Sequence, residues 1–218
     1  MVVGSPTDAT ARNIISGNGT SGISLGGTPS SGNAPQVNGN IIGLNASGTA
    51  ALPSLSFGIL VTHAASSLTL GADGATADQL ISGNGSSGIR IQSSQQVHLG
   101  SSNYIGVGAD HVTPLGNSGD GVGIGGSTSS TVTPAVIAHN GGGVTVAGDS
   151  SSGILIRPGD VHGNGWTAVD LIGTSGFDAN DPGDTDTGPN TLLNYPEITS
   201  AEGNNVPGTA CLGCFVFI

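Results

Sequence analysis

Apolar residues in this chain fall in short alternating groups separated by Gly-Asn turns, and the groups recur. The run I-S-G-N-G-T-S-G-I-S-L from Ile15 returns as I-S-G-N-G-S-S-G-I-R-I from Ile81. It returns again as I-A-H-N-G-G-G-V-T-V from Ile137 and V-H-G-N-G-W-T-A-V-D-L from Val161. Each copy has an apolar residue, an Asn-Gly turn three residues on, and then a short apolar-polar-apolar strand. A helix cannot hold this pattern, because its apolar stripe needs a 3.6-residue period. A self-similar unit of a few tens of residues marks a solenoid.

A longer repeat contains this one. Residues 38–61 echo residues 101–124, each placing a Gly-rich loop between two apolar strands. The last strand of each unit supplies six anchors, at 23–25, 59–61, 89–91, 122–124, 144–146 and 169–171. The predicted fold is all-β: a parallel β-helix of about six coils. Coils stacked at the usual strand spacing of about 4.8 Å would make a rod core of roughly 30 Å.

Asn18, Asn84, Asn140 and Asn164 fall at one place in the repeat. Asn tolerates left-handed backbone angles, so these residues are expected to turn the chain between sheets. Their stacked amides are also expected to bond to one another up the rod. That makes them a structural ladder rather than catalytic groups. The loops 43–57 and 106–121 are predicted to stack on one side, where insertions in solenoids often form the binding face.

Composition narrows the function classes. Of 218 residues 40 are Gly and only 8% are charged, which resembles disorder, but the 35% apolar content and its period argue for a packed core. There is no Lys, Arg is confined to Arg12, Arg90 and Arg157, and the formal net charge is −11. Nucleic-acid binding needs a basic surface to neutralise phosphate, so that class is set aside. Anionic membranes are disfavoured on the same ground. No apolar run reaches the length of a membrane span.

The expected partition is 1–175 for the β-helix repeats, 176–200 for an acidic loop and terminal strand, and 201–218 for the start of a truncated following β module. The first residues lack the basic start and apolar stretch of a signal peptide. Residues 5–18 already parallel 71–84, so the chain is expected to begin inside a repeat, its export signal left behind. Cys211 and Cys214 read as a local disulfide ahead of a zinc half-site or a redox pair.

The runs I-I-S-G-N, N-I-I-G-L-N-A-S-G-T-A-A-L, G-I-R-I and D-A-N-D-P-G-D-T-D-T-G-P-N-T-L-L-N-Y-P-E-I-T-S-A resemble the right-handed parallel β-helix repeat proteins of bacterial surfaces and secretions. The resemblance covers nearly the whole chain and speaks to fold far more than to activity. It implies an exported or cell-surface module joined to other β modules of a larger parent chain. The wider pectate-lyase-like superfold also hosts pectate lyases, polygalacturonases, epimerases and phage tailspikes, so carbohydrate enters only by analogy.

Candidate chemistry is sparse. The outward positions of the anchor strands are Ser24, Leu60, Arg90, Gly123, Thr145 and Asp170. Pectate-lyase-like chemistry needs more cationic groups than the three Arg supply. The Gly-His-Gly and Arg-x-Lys segments of polygalacturonase-like enzymes do not occur. Glycoside hydrolysis needs two carboxyl groups about 5–10 Å apart. Asp170 is the best single catalytic candidate, with a loop partner drawn from Asp120, Asp149 or Asp160. Asp160 and His162 sit two apart on one strand face and can couple a carboxylate to an imidazole as a general base. Solvated face charges are the plainer explanation for Arg90 and Asp170. Trp166, Arg90 and Tyr104 are candidate substrate contacts, with Trp166 alternatively capping the last coil.

The densest chemical signal is Asp178, Asn180, Asp181, Asp184 and Asp186 within one Gly- and Pro-bent segment. Alternating oxygen side chains suit Ca²⁺, which takes six to eight oxygens, although Pro182 and the lack of a closing Glu exclude an EF-hand loop. A solvated acidic turn is the alternative. A bound Ca²⁺ would be structural. The expected function is a surface rod with polysaccharide contact; the alternative is a glycoside hydrolase or polysaccharide lyase.

Overall fold

The computed structural model describes residues 1–27, 34–64, 67–172, 179–200 and 207–209. Cys211, Cys214 and the expected following module lie outside the described residues. Six coils contribute three strands each. The first holds β1 (Val2–Gly4), β2 (Ile14–Ile15) and β3 (Ile23–Gly26), and the second β4 (Gln36–Asn38), β5 (Ile41–Ile42) and β6 (Ile59–Thr62). The third holds β7 (Leu68–Leu70), β8 (Gln79–Ile81) and β9 (Ile89–Gln92), and the fourth β10 (Val97–Leu99), β11 (Asn103–Ile105) and β12 (Asp120–Gly125). The fifth holds β13 (Thr131–Val132), β14 (Val136–Ala138) and β15 (Gly142–Ala147), and the sixth β16 (Leu155–Ile156), β17 (Asp160–His162) and β18 (Val169–Ile172).

Equivalent strands pair in parallel from coil to coil, giving three six-stranded sheets. We call them A, B and C after the first, second and third strand of each coil. The fold is thus an all-β parallel solenoid of six coils. β19 (Glu197–Ile198) and β20 (Gly208–Thr209) form a separate antiparallel pair.

Sheet C carries the six anchors in unbroken register. Ile23, Ile59, Ile89, Val122, Val144 and Val169 lie side by side, as do Leu25, Val61, Ile91, Ile124, Val146 and Leu171. Apart from Val169, which is exposed on the last coil, these residues pack into the core with Val37, Leu70, Leu99 and Val132 of sheet A and Ile42, Ile81, Ile105 and Ile137 of sheet B. β-Branched side chains suit such pleated, closely packed surfaces. Each fully buried one stabilises the rod by about 1.5–3 kcal/mol. The inward residues of the end coils, Val3, Ile15, Leu25, Ile156, Val161 and Leu171, are only partly covered.

Hydrogen-bonded ladders run up the corners. Between sheets B and C, Oδ1 of each Asn accepts from the backbone and side-chain N–H groups of the Asn one coil earlier. The series is Asn84 to Asn117 (3.0 and 2.9 Å), Asn117 to Asn140 (3.1 and 2.8 Å) and Asn140 to Asn164 (2.9 and 3.2 Å). Stacked amides therefore join Asn84, Asn140 and Asn164 as expected, with Asn117 as a rung that the motif search passes over. Asn18 instead donates to Ser54 of the second coil.

One expectation is corrected. The four Asn residues of the repeated motif do not have positive φ; the residue before each of these four does: Gly17 (69°), Gly83 (69°), His139 (61°) and Gly163 (61°), whereas Gly116 before Asn117 does not. Glycine takes that angle without a Cβ clash, leaving the Asn to aim its amide along the ladder.

A second ladder turns sheet A into sheet B. Asn13 donates to Asn40, Asn40 to Gln79 and Gln79 to Asn103. A third closes sheet C back onto sheet A: Ser94 accepts from the Ala64 N–H, Ser127 from Ser94 and Ser151 from Ser127.

The loops 43–57 and 106–121 do meet, across the short turn of the third coil, where the Ala109 N–H donates to the Gly48 carbonyl (2.9 Å). They fold down onto the outer face of sheet B. Ile41, Leu44 and Leu80 form a second apolar cluster there, flanked by Tyr104 and Leu115. The segment Pro189–Leu192 docks on the sixth coil, the Asn190 side chain both accepting from the Ile154 N–H and donating to its carbonyl.

Candidate functional site

Among the described residues neither long loop covers the outer face of sheet C, and its polar side chains converge. Register places Arg90, Gly123, Thr145 and Asp170 in one file across the third to sixth coils. The glycines in and beside this file leave room for the side chains to lie flat. A Cβ added at Gly123 would come 2.9 Å from Arg90 Nη1 and 3.4 Å from Asp120 Oδ2, and one at Gly125 would come 3.0 Å from Arg90 Nη2. The guanidinium thus rests on β12. A Cβ at Gly142 would come 2.6 Å from Asp120 Oδ1 and 3.9 Å from the Trp166 Cβ. Asp120 therefore spans the floor between Arg90 and the turn that carries Trp166.

Burial pushes the Asp120 carboxyl above the ordinary aspartate range. A Thr145 hydrogen bond and the Arg90 guanidinium pull it back, and the Asp170 charge pushes it up again. A carboxyl held toward its protonated form beside a second carboxylate is the arrangement that separates acid from base roles. Trp166 stands at the rim with 84% of its surface exposed, a free aromatic face beside hydrogen-bonding groups.

The sequence candidates separate into three places. Asp170, Arg90 and Trp166 belong to the sheet C face. Asp160 and His162 lie on sheet B, around the Asn164 corner from Asp170, with His162 Nδ1 3.1 Å from Asp160 Oδ1. Their coupling is present, but in β17 rather than alongside Asp170 in β18. Tyr104 lies against the loop over sheet B, stacked on His111 with ring centroids 3.7 Å apart, while His111 Nε2 meets Asp78 at 3.0 Å. Asp120, expected in a loop, instead opens β12, and the D-G-V-G-I-G run is the signal that could have placed it there. Its glycines stand where the register lays the Arg90 side chain.

The acidic segment is held together by its own side chains. Asp181 Oδ2 accepts from the Thr185 N–H and hydroxyl, which lower its pKa. Asp184 Oδ1 accepts from the Asn194 N–H, while the Asn194 side chain accepts from the Asp181 N–H and donates to its carbonyl. Asn180 bonds to Tyr195 and Glu197. Asp186 lies in the same stretch, and Asp178 is outside the described residues. Among the described residues no group of three or more His, Cys, Asp or Glu side chains is placed to hold a metal ion. No helix among them is long and apolar enough to cross a membrane.

No family model matches the chain, and no curated protein or solved structure matches it either.

Proposed function

We propose that this protein is a rod-like module of an exported bacterial surface protein, and that it contacts polysaccharide through the outer face of sheet C. The carrying observation is the convergence of Arg90, Asp120, Thr145 and Asp170 on a glycine floor, with exposed Trp166 at its rim. Sugar rings pack an apolar face on an aromatic plane and bond their hydroxyls to carboxylates, guanidinium and threonine. A low content of charge and a surface of Ser, Thr, Asn and Gly support an extracellular setting, with other β modules of the parent chain as neighbours. A structural Ca²⁺ at the acidic segment fits this reading. Its support is the Asp181 Oδ1 atom, enclosed without a hydrogen-bond partner. Chelator-sensitive melting tests it.

The second reading is a glycoside hydrolase, favoured by the raised pKa of Asp120 beside Asp170. Asp120 would supply the proton to the leaving oxygen and Asp170 the paired carboxylate. One experiment separates the readings. The protein is incubated with a panel of polysaccharides, scoring both retention on insoluble glycan and new reducing ends. Retention lost in Trp166→Ala, without products, establishes binding. Products lost in both Asp120→Asn and Asp170→Asn establish hydrolysis. Neither signal leaves a structural rod.

A further inference from the structure

A second cluster, on sheet B of the last two coils, has no part in the sheet C face. His139 follows β14 and His162 ends β17. Their rings lie 5.2 Å apart between centroids and nearly perpendicular, at 86°. The corner positions equivalent to His139 in the first, third and sixth coils are Gly17, Gly83 and Gly163, all left-handed. His139 takes the same angle, at φ 61°, where any side chain is held against backbone strain. Gly163, one coil on, makes room for its ring, because a Cβ there would come 2.9 Å from His139 Nδ1. The second ring is oriented from behind: Asp160 Oδ1 stands 3.1 Å from His162 Nδ1. That leaves Nε2 as the His162 nitrogen that Asp160 does not engage.

We propose that His139 and His162 form a two-imidazole site for a borderline transition-metal dication of the Zn²⁺ or Cu²⁺ type, with Asp160 as the positioning residue. Imidazole–metal bonds of about 2.0–2.1 Å at a tetrahedral angle set two ligand rings roughly 5 Å apart between centroids, which is the spacing found here. Binding would require one ring to turn about its Cβ–Cγ bond out of the observed edge-to-face arrangement. A carboxylate on the far nitrogen of a ligating imidazole fixes its tautomer and raises its basicity. With two protein ligands the remaining positions fall to water, so the site is open and sits on the surface. Hard oxygen-seeking ions such as Ca²⁺ are not accepted by two neutral imidazoles.

The test is titration of the full chain, free of any polyhistidine tag, with Cu²⁺ alone, followed by electron paramagnetic resonance and by competition with Zn²⁺. The expected result is one strong site with a two-nitrogen hyperfine pattern. It is displaced by Zn²⁺, indifferent to Ca²⁺, reduced to one nitrogen in His139→Ala and in His162→Ala, and unchanged in His63→Ala. Asp160→Asn keeps both nitrogens and weakens affinity 10- to 100-fold. Circular dichroism of each apo variant confirms that the coils stay folded, since both rings are on the outside. A Cu²⁺ signal that survives the double variant, or no site tighter than about 100 μM, overturns the proposal.

Discussion

The outer faces of sheets B and C present outward residues on the same parallel scaffold, yet they end in opposite states. On sheet B the outward residues Ile41, Leu80 and Tyr104 lie beneath two loops that fold back over them, and a second apolar cluster results. On sheet C, although the same two loops lead into β6 and β12, neither folds back over the outward file, which holds Arg90, Thr145 and Asp170 beside Asp120. A strand's alternation decides which side chains leave the core. The side to which the long loops fold decides whether those side chains meet solvent or protein. The solenoid spends its insertions closing one face and leaves its chemistry on the other.

Substitutions should separate the two faces by stability first. Leu80→Ala, under the loops, should cost about 2–5 kcal/mol in denaturant unfolding, as a cavity in a close-packed cluster. Tyr104→Ala should cost about 2 kcal/mol, combining lost burial with the lost His111 stack. If both changes are tolerated within about 0.5 kcal/mol, the covered face is no core and the contrast fails.

Acid should move the faces in opposite directions. In the covering loop, Asp110 is held down to about 2 by the Thr113 hydroxyl and by the Thr113 and Val112 N–H groups. Its contribution is present above the unfolded value of 3.8 and is lost as pH falls toward 2. Asp120 lies above that unfolded value, so its contribution is full below 3.8 and is lost as pH rises through its folded pKa. Melting curves taken across the acid range should show Asp110→Asn removing part of the acid loss. Asp120→Asn should remove part of the gain, and at neutral pH it should melt no lower than wild type. A pH profile that either variant leaves unchanged would remove that carboxyl from the comparison.

The smallest stability effects belong to the open face. Trp166→Ala should shift unfolding by under about 0.5 kcal/mol, since the ring is exposed, and Arg90→Ala by no more than about 1 kcal/mol. A large loss in either would mean that the open face is part of the packing, and a glycan-contact role would lose its basis.

The sheet C register was legible because apolar-polar-apolar groups recur, four of the six behind the repeated Asn-Gly motif, and all six anchors pair as read. Asn117 was not legible. The fourth coil reaches its corner through a long loop, and the flanking letters G-N-S-G no longer match I-S-G-N-G. The Ser94, Ser127 and Ser151 file was hidden by abundance, since Ser occurs everywhere in the chain and only stacking gives these three a role. The site was half legible. Arg90, Asp170 and Trp166 lie on repeat positions, whereas Asp120 precedes its strand's inward residues and looked like a loop charge. Its placement depends on side chains lying across glycines, which no period along the chain records.

The three corner ladders do not begin and end together. Among the described residues the Asn–Gln file joins coils one to four, the Ser file coils two to five and the Asn file coils three to six. Such a stack is lapped like brickwork: the joint between the third and fourth coils is crossed three times, and the outermost joints are held by one ladder each, with the Asn18–Ser54 bond added at the first. A rod built this way should carry tension through its middle and yield from its tips. Under load it would peel coil by coil rather than snap, and amide exchange should reach the first and sixth coils well before the third and fourth. In the surface role proposed above, that would be graded failure, in which the outer turns absorb a pull before the central section gives way.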